Sequence, residues 1–295
     1  VSRAGVYVPG GKAVYPSTVI MTVVPAQVAG VDEIVLCTPP TGVGPDGAPD
    51  GWPDRTILAA ARLLGVDRVV RVGGAQAVAA MAHGTASVPR CDVVVGPGNL
   101  YVSLAKQLLA AVGRIGTDGY AGPTEIGIVA DDTADPMVLA ADLVAQAEHD
   151  ELATVLLVTT DAASVDAVEA ALEREVERTH HRERVEAALA GQGTVALVDD
   201  LDHAVVVAEA FAAEHLEVHT RDARSVAERI RYAGTTFGGA TTPVSLGDYA
   251  AGPNHTLPTS GTARFRGGLT TSSFLVPVNF VEYDRAALED LAEGA

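Results

Sequence analysis

The chain has 295 residues, 48% of them hydrophobic but only 4% aromatic, and a formal net charge of −18. That length allows two modest domains or one large one, with cores filled mainly by small aliphatic side chains. A surface this negative repels nucleic-acid backbones and anionic membranes, and no window is long and uncharged enough to span a bilayer.

The opening VSRAGVYVPGG has no apolar h-region of a signal peptide. The two cysteines, Cys37 and Cys91, sit in apolar runs without CxxC spacing, as buried reduced thiols would. A soluble cytoplasmic protein is expected, with a small-molecule ligand and neither a nucleic-acid nor a membrane partner.

In chain order, DEIVLC (32–37) reads as a buried strand. DRTILAAARLLG (54–65) follows as an amphipathic helix, DRVVRV (67–72) as a strand and AQAVAAMAH (75–83) as a helix. DVVVG (92–96) leads into the helix NLYVSLAKQLLAAV (99–112), and EIGIVAD (125–131) is again a strand. The pattern then restarts. Asp135 and Pro136 are a plausible N-cap and first helical position for 136–149. A strand (153–159), a long charged helix (162–179) and strands at 193–200, 215–220 and 235–239 complete the series.

This alternation predicts an α/β protein of two doubly wound, Rossmann-like units with parallel sheets. The expected division is residues 1–124, a cofactor-side domain, residues 125–272, a second Rossmann-like domain, and residues 273–295, the start of a C-terminal tail with an acidic helix pattern. The Pro/Gly-dense stretch 38–54 reads as a loop.

No GxGxxG opens a helix after a strand. The glycine turns YVPGG (7–11), VGGAQA (72–77) and VGPGN (95–99) each follow a strand, where open α/β sheets place ligands. Any one of them need only be a tight turn. Three in one unit, with Tyr7, Gln76 and Asn99, favour a cofactor cleft.

On the helix 136–149, Gln146 and His149 are spaced i, i+3 and project from one face, with Asp142 one turn earlier. Two such residues alone do not make a metal site. SLGDYAAGPNHTLPT (245–259) carries Asp248 and His255 on an irregular loop, where turn capping and catalysis are equally open. Glu214 and His215 open the strand HLEVHT. Both can serve one site only if the strand has not yet begun at Glu214, because neighbours in a strand face opposite ways. His219 reads as an ordinary exposed residue.

The blocks AGVYVPGG, VGGAQAVAA, VGPGN, AGPTE, AQAEHD, AAEHLEV and GDYAAGPNHTLPT occur in this order along essentially the whole chain. In this the sequence resembles the histidinol dehydrogenase family. The resemblance implies a zinc-dependent homodimer that oxidises L-histidinol to L-histidine through the aldehyde, using two NAD in succession. It implies one Zn2+ per site, with Gln146, His149 and Asp248 among its ligands, and Glu214 and His215 as the acid–base pair. Thr124 and His255 become substrate contacts, together with Gln146, His149, His215 and Asp248, while Tyr7, Gln76 and Asn99 become NAD contacts.

The family's pattern also implies a segment ahead of this chain. It further implies a C-terminal tail, carrying a Glu and a final His ligand, that completes the partner subunit's site. Thr124 stands where Ser is common, and Ala86 where Glu is frequent. Two alternatives stay open. One is a related zinc/NAD dehydrogenase of another small alcohol, such as a sulfonated diol contacted by Arg264 and Arg266. The other is a non-catalytic α/β binding module.

Overall fold

The computed structural model describes residues 1–10, 14–44, 47–292 and 294. Gly11 of the first glycine turn and residues 45–46 of the 38–54 loop lie outside them. The first unit runs β1 (Arg3–Tyr7), α1 (Pro16–Val28), β2 (Glu33–Cys37), α2 (Arg55–Leu63), β3 (Arg68–Val70), α3 (Gly74–His83), β4 (Val93–Val95), α4 (Leu100–Ala111) and β5 (Gly116–Thr117). Its strands pair in the order β3-β2-β1-β4-β5, all parallel.

The second unit runs β6 (Glu125–Ala130), α5 (Pro136–Ala147), β7 (Thr154–Thr159), α6 (Ala162–Arg178), α7 (Arg182–Gln192), β8 (Gly193–Leu197), α8 (Leu201–Phe211), β9 (His215–His219), α9 (Ala223–Ala227), β10 (Thr235–Gly238) and α10 (Ser245–Tyr249). Its order is β10-β9-β6-β7-β8, again all parallel. The α/β architecture with two parallel sheets is as the sequence pattern predicts. The acidic tail forms α11 (Arg285–Ala292).

The helix α1 goes unread in the sequence because Pro25 lies inside it, among β-branched residues that favour strands. Proline has no N–H to give to the carbonyl of Met21, four residues back. Asn254 supplies the missing donor: its Nδ2 reaches Met21 O at 2.5 Å. The loop after α10 is thereby fastened to the first unit. Further along, Leu269 and Phe274 pack into the core of the first sheet beside Val19, Val23 and Leu36.

β5 finishes at the carboxyl edge of the first sheet, and a short loop enters β6 at the amino edge of the second. Thr259 holds that loop by donating from Oγ1 to Tyr120 O (3.2 Å) and accepting from Gly122 N (2.6 Å). The carboxyl edge of one sheet and the amino edge of the other are therefore the two regions joined by the connector.

The glycine turns of the first unit converge on Tyr7. Its hydroxyl accepts from Gly74 N at 3.1 Å, and a Cβ on Gly96 (φ +113°) would lie 2.1 Å from Tyr7 O. Lys106, wholly buried, donates to Gly96 O (2.9 Å) and to Asp118 Oδ1 (2.6 Å), while Asp118 Oδ2 accepts from Gly96 N (2.6 Å). A buried cation thus fixes the turn after β4. Replacing one partner strands the other charge in the interior. Lys106→Met is expected to destabilise the protein by about 3–5 kcal/mol, measured by urea unfolding. A change below about 1 kcal/mol would show that the pair contributes little.

Candidate functional site

Five side chains gather at the amino edge of the second sheet. Thr124 and Glu125 enter β6, Glu214 and His215 enter β9, and Gln146 comes from the last turn of α5, which runs back to this edge. Asp135 caps the start of α5 by accepting from Met137 N at 2.9 Å, with Pro136 in the first turn, as the sequence suggests. Gln146 Nε2 donates to Thr124 Oγ1, and Thr124 Oγ1 donates to Glu214 Oε2 at 2.5 Å. The same Oε2 accepts from Glu125 N at 3.1 Å.

β9 begins at His215, so Glu214 still belongs to the preceding turn, in which Ala212 is left-handed at φ 53°. That turn lets both residues face one site, with His215 Nδ1 3.5 Å from Glu214 Oε2. Gly234 makes the turn possible, because a Cβ there would lie 2.5 Å from Glu214 O.

His215 Nδ1 also lies 3.2 Å from Glu125 O and 3.4 Å from Gln146 Nε2. A carbonyl oxygen only accepts, so Nδ1 carries a hydrogen, and Nε2 is the ring nitrogen left free of that bond. Both Glu214 and His215 are nearly buried.

Glu125 is the site residue that sequence reasoning missed. Its Oε1 accepts from Ser260 N at 2.8 Å, and its buried Oε2 has no partner among the described residues. Burial, reinforced by the Glu214 charge, pushes the Glu125 carboxyl up to about 7, against the pull of the Ser260 N–H. The available signal was an acidic residue at the first position of an otherwise apolar strand, EIGIVAD.

Asp248 lies on α10 and His255 on the following loop, with His255 Nδ1 3.8 Å from Asp248 Oδ1. Burial lowers the pKa of His255, Asp248 and a backbone hydrogen bond at Ser17 oppose that shift, and the His215 charge adds to it. His255 Nε2 is buried and has no partner among the described residues.

α5 ends at Ala147, Glu148 is its C-cap, and His149 follows, exposed, with its N–H donating to Gln146 O at 3.2 Å. Glu148 has a structural part, accepting from Thr179 Oγ1 (3.3 Å) at Oε2 and from Arg184 Nη1 (2.8 Å) at its carbonyl.

His219 corrects an expectation: it is 4% exposed, not a surface residue. Among the described residues, the one group of three His, Cys, Asp or Glu side chains with ligand atoms within 4.8 Å is Asp142, Glu217 and His219.

In the first unit, Tyr7 is buried, Gln76 is exposed with its amide over Gly74, and Asn99 caps α4 by accepting from Val102 N at 3.2 Å. Arg264 and Arg266 are exposed, and their guanidinium groups are turned to the backbone carbonyls of Gly261, Ala210 and Thr117. Both cysteines are free and buried, and burial pushes each thiol up to about 12, which leaves them as core residues without nucleophilic character.

The sequence profile of histidinol dehydrogenase matches residues 1–295. The chain belongs to the histidinol dehydrogenase family. It is 55% identical over 298 residues to histidinol dehydrogenase of Mycobacterium bovis, covering 99% of this chain and 66% of that protein. It is 54% identical over 293 residues to the Thermobifida fusca enzyme of the same name, covering 99% of this chain and 65% of that one. The crystal structure of histidinol dehydrogenase from Elizabethkingia anophelis superposes with a TM-score of 0.91 at 35% identity, over 99% of this chain and 65% of that chain. The chain thus spans about two thirds of the length of these family members.

The elevated carboxyl of Glu125 has a consequence for stability. The folded state holds a proton up to about pH 7 that the unfolded chain releases near 4.5. Stability from this group is complete below pH 4.5 and is lost as pH rises through 7, by up to about 3 kcal/mol. Glu125→Gln is expected to flatten that slope, so that urea unfolding of the variant changes less between pH 5 and pH 8 than that of the wild type. Parallel slopes would show that the folded carboxyl titrates at its ordinary value.

Proposed function

We propose that the whole protein oxidises L-histidinol to L-histidine through histidinal, with NAD as hydride acceptor and one zinc per site, in histidine biosynthesis. The observation that carries this reading is the hydrogen-bonded chain Gln146–Thr124–Glu214, with His215 held by the Glu125 carbonyl 3.5 Å from Glu214, in a chain of this family. His215 as general base beside the Glu214 carboxylate suits a two-stage oxidation at one site.

Zinc suits the residues at hand. Gln146, His149 and Asp248 offer amide, imidazole and carboxylate donors of the kind zinc takes, and the partnerless buried Nε2 of His255 is left to meet the substrate. We assign Gln146, His149 and Asp248 as ligands, with the remaining position filled from the family's C-terminal segment of a second subunit. The Asp142 group is less suitable, because Glu217 already accepts from Val244 N at 2.8 Å and lies 3.1 Å from His219 Nε2 in the closed interior. When bound, zinc supplies a Lewis acid that holds the amino and imidazole nitrogens of the substrate, and NAD accepts the hydride.

The protein's own residues then divide the proton transfers. His215 Nε2 takes the proton of the alcohol, while the Glu125 carbonyl keeps Nδ1–H in place. Glu214 takes its two protein donors on Oε2. Its Oε1 is the acceptor for the water that adds to the aldehyde, and for that water's proton. Thr124 fixes the carboxylate and abuts the substrate. Tyr7, Gln76 and Asn99, around the glycine turns of the first unit, line the NAD side.

A homodimer is supported by exposed apolar side chains on α4 (Leu100, Tyr101, Leu104, Leu108) and in the stretch Val276, Val278, Phe280 and Val281. The carbonyl-directed guanidinium groups of Arg264 and Arg266 weigh against a sulfonated substrate. No helix among the described residues is long and apolar enough to cross a membrane. A soluble enzyme of the cytoplasm accords with that.

The test is NADH yield from the full-length protein with L-histidinol, expected at two per alcohol. One or none would refute the reading, as would a preference for a sulfonated diol. His215→Asn is expected to lower kcat for histidinol by ~10²–10⁴-fold, and Glu214→Gln to slow histidinal oxidation more than histidinol oxidation. Removing zinc with a chelator is expected to abolish turnover, and restoring zinc to recover it.

A further inference from the structure

An inner strand of a fully covered parallel sheet is ordinarily apolar on both faces. β9 is not. In register with Ile126, Ile128 and Ala130 of neighbouring β6, it places His215, Glu217 and His219 on one face. Glu217 is 0% exposed and His219 4% exposed. The face is covered by α5, whose Leu139, Leu143 and Val144 pack on the β6 residues. Opposite Glu217, α5 presents Asp142, also buried, with a carboxylate oxygen within 4.8 Å of one of Glu217.

The contacts of Glu217 reach three elements. Oε1 accepts from Val244 N (2.8 Å), the residue that opens α10. Oε2 lies 3.1 Å from His219 Nε2 on β9. Asp142 adds α5. These three elements carry, respectively, Asp248, His215 (with Glu214 in the turn just before it) and Gln146. Burial and the Glu217 charge push the Asp142 carboxyl up to about 7, against the pull of His219, which favours a proton on that group. Glu217 accepts from a backbone N–H, so Asp142 is the group able to donate between the two.

We propose that Glu217 is a positioning residue that sets α5, β9 and α10 relative to one another, with Asp142 as its hydrogen-bonding partner on α5. Resting on the histidinol reading, this makes the Asp142–Glu217–His219 group the support behind Gln146, His215 and Asp248. It does not touch substrate. Its effect is on the distance between the base and the groups that hold the alcohol, so it acts on turnover more than on binding.

Three substitutions of Asp142 in the full-length enzyme separate this role from mere packing. Asn keeps a donor, Ala removes it, and Leu removes it while filling the space. Asp142→Asn is expected to keep kcat within about threefold of wild type. Ala and Leu are each expected to lose at least tenfold in kcat, with KM for L-histidinol changed less than threefold. In NMR of protein labelled at histidine, the His215 ring resonances are expected to stay in place in the Asn variant and to move in the Ala and Leu variants.

Equal losses in all three variants would overturn the proposal. So would Ala and Leu variants that melt earlier but keep wild-type kcat and an unmoved His215 resonance. The NMR comparison does not depend on turnover. A wild-type enzyme inactive on histidinol would refute the functional reading, and the His215 resonances would still decide the network.

Discussion

The Glu214 carboxylate is the contact on which the second unit's working edge depends. β6 and β9 are neighbours, and each begins with a backbone that needs a partner. Glu214 Oε2 takes the N–H of Glu125 at the mouth of β6 and the hydroxyl of Thr124 beside it. The side chain that opens β9 thereby closes the start of β6. His215 returns the favour through the Glu125 carbonyl. The bonds that hold these side chains also tie together the starts of the two strands.

That dependence also explains where the site lies. Open α/β sheets usually bind ligands at the carboxyl ends of their strands, and the glycine turns around Tyr7 lie at that edge of the first sheet. The Glu214 cluster sits at the opposite, amino edge of its own sheet. The short connector after β5 reconciles the two, since it runs from one kind of edge to the other and carries Asp118 into the first cluster and Thr124 into the second.

Much of the fold was legible because hydrophobic period and cap chemistry agreed, as at Asp135–Pro136 and Asn99. α1 was not, because an internal proline and a β-branched run both speak against a helix, and only a distant asparagine compensates. In the site, Glu214, His215, Asp248 and His255 stood out as polar residues at irregular positions. Glu125 did not, since an acid at the head of an apolar strand looks like a solvated strand end. His219 misled for a related reason. Alternation in HLEVHT marks a polar face, but whether that face meets water or α5 is decided by packing that no local pattern encodes.

Pro25 has an implication beyond its own helix. A proline there makes α1 imperfect and leaves Met21 O without its usual donor, and Asn254 occupies the gap. Asn254 directly precedes His255. A substitution that healed α1 by restoring an N–H at position 25 would compete for the same carbonyl and loosen the tether of the histidine loop. Local helical perfection and order across the two sheets are opposed at a single oxygen atom, and the sequence settles the conflict in favour of the loop.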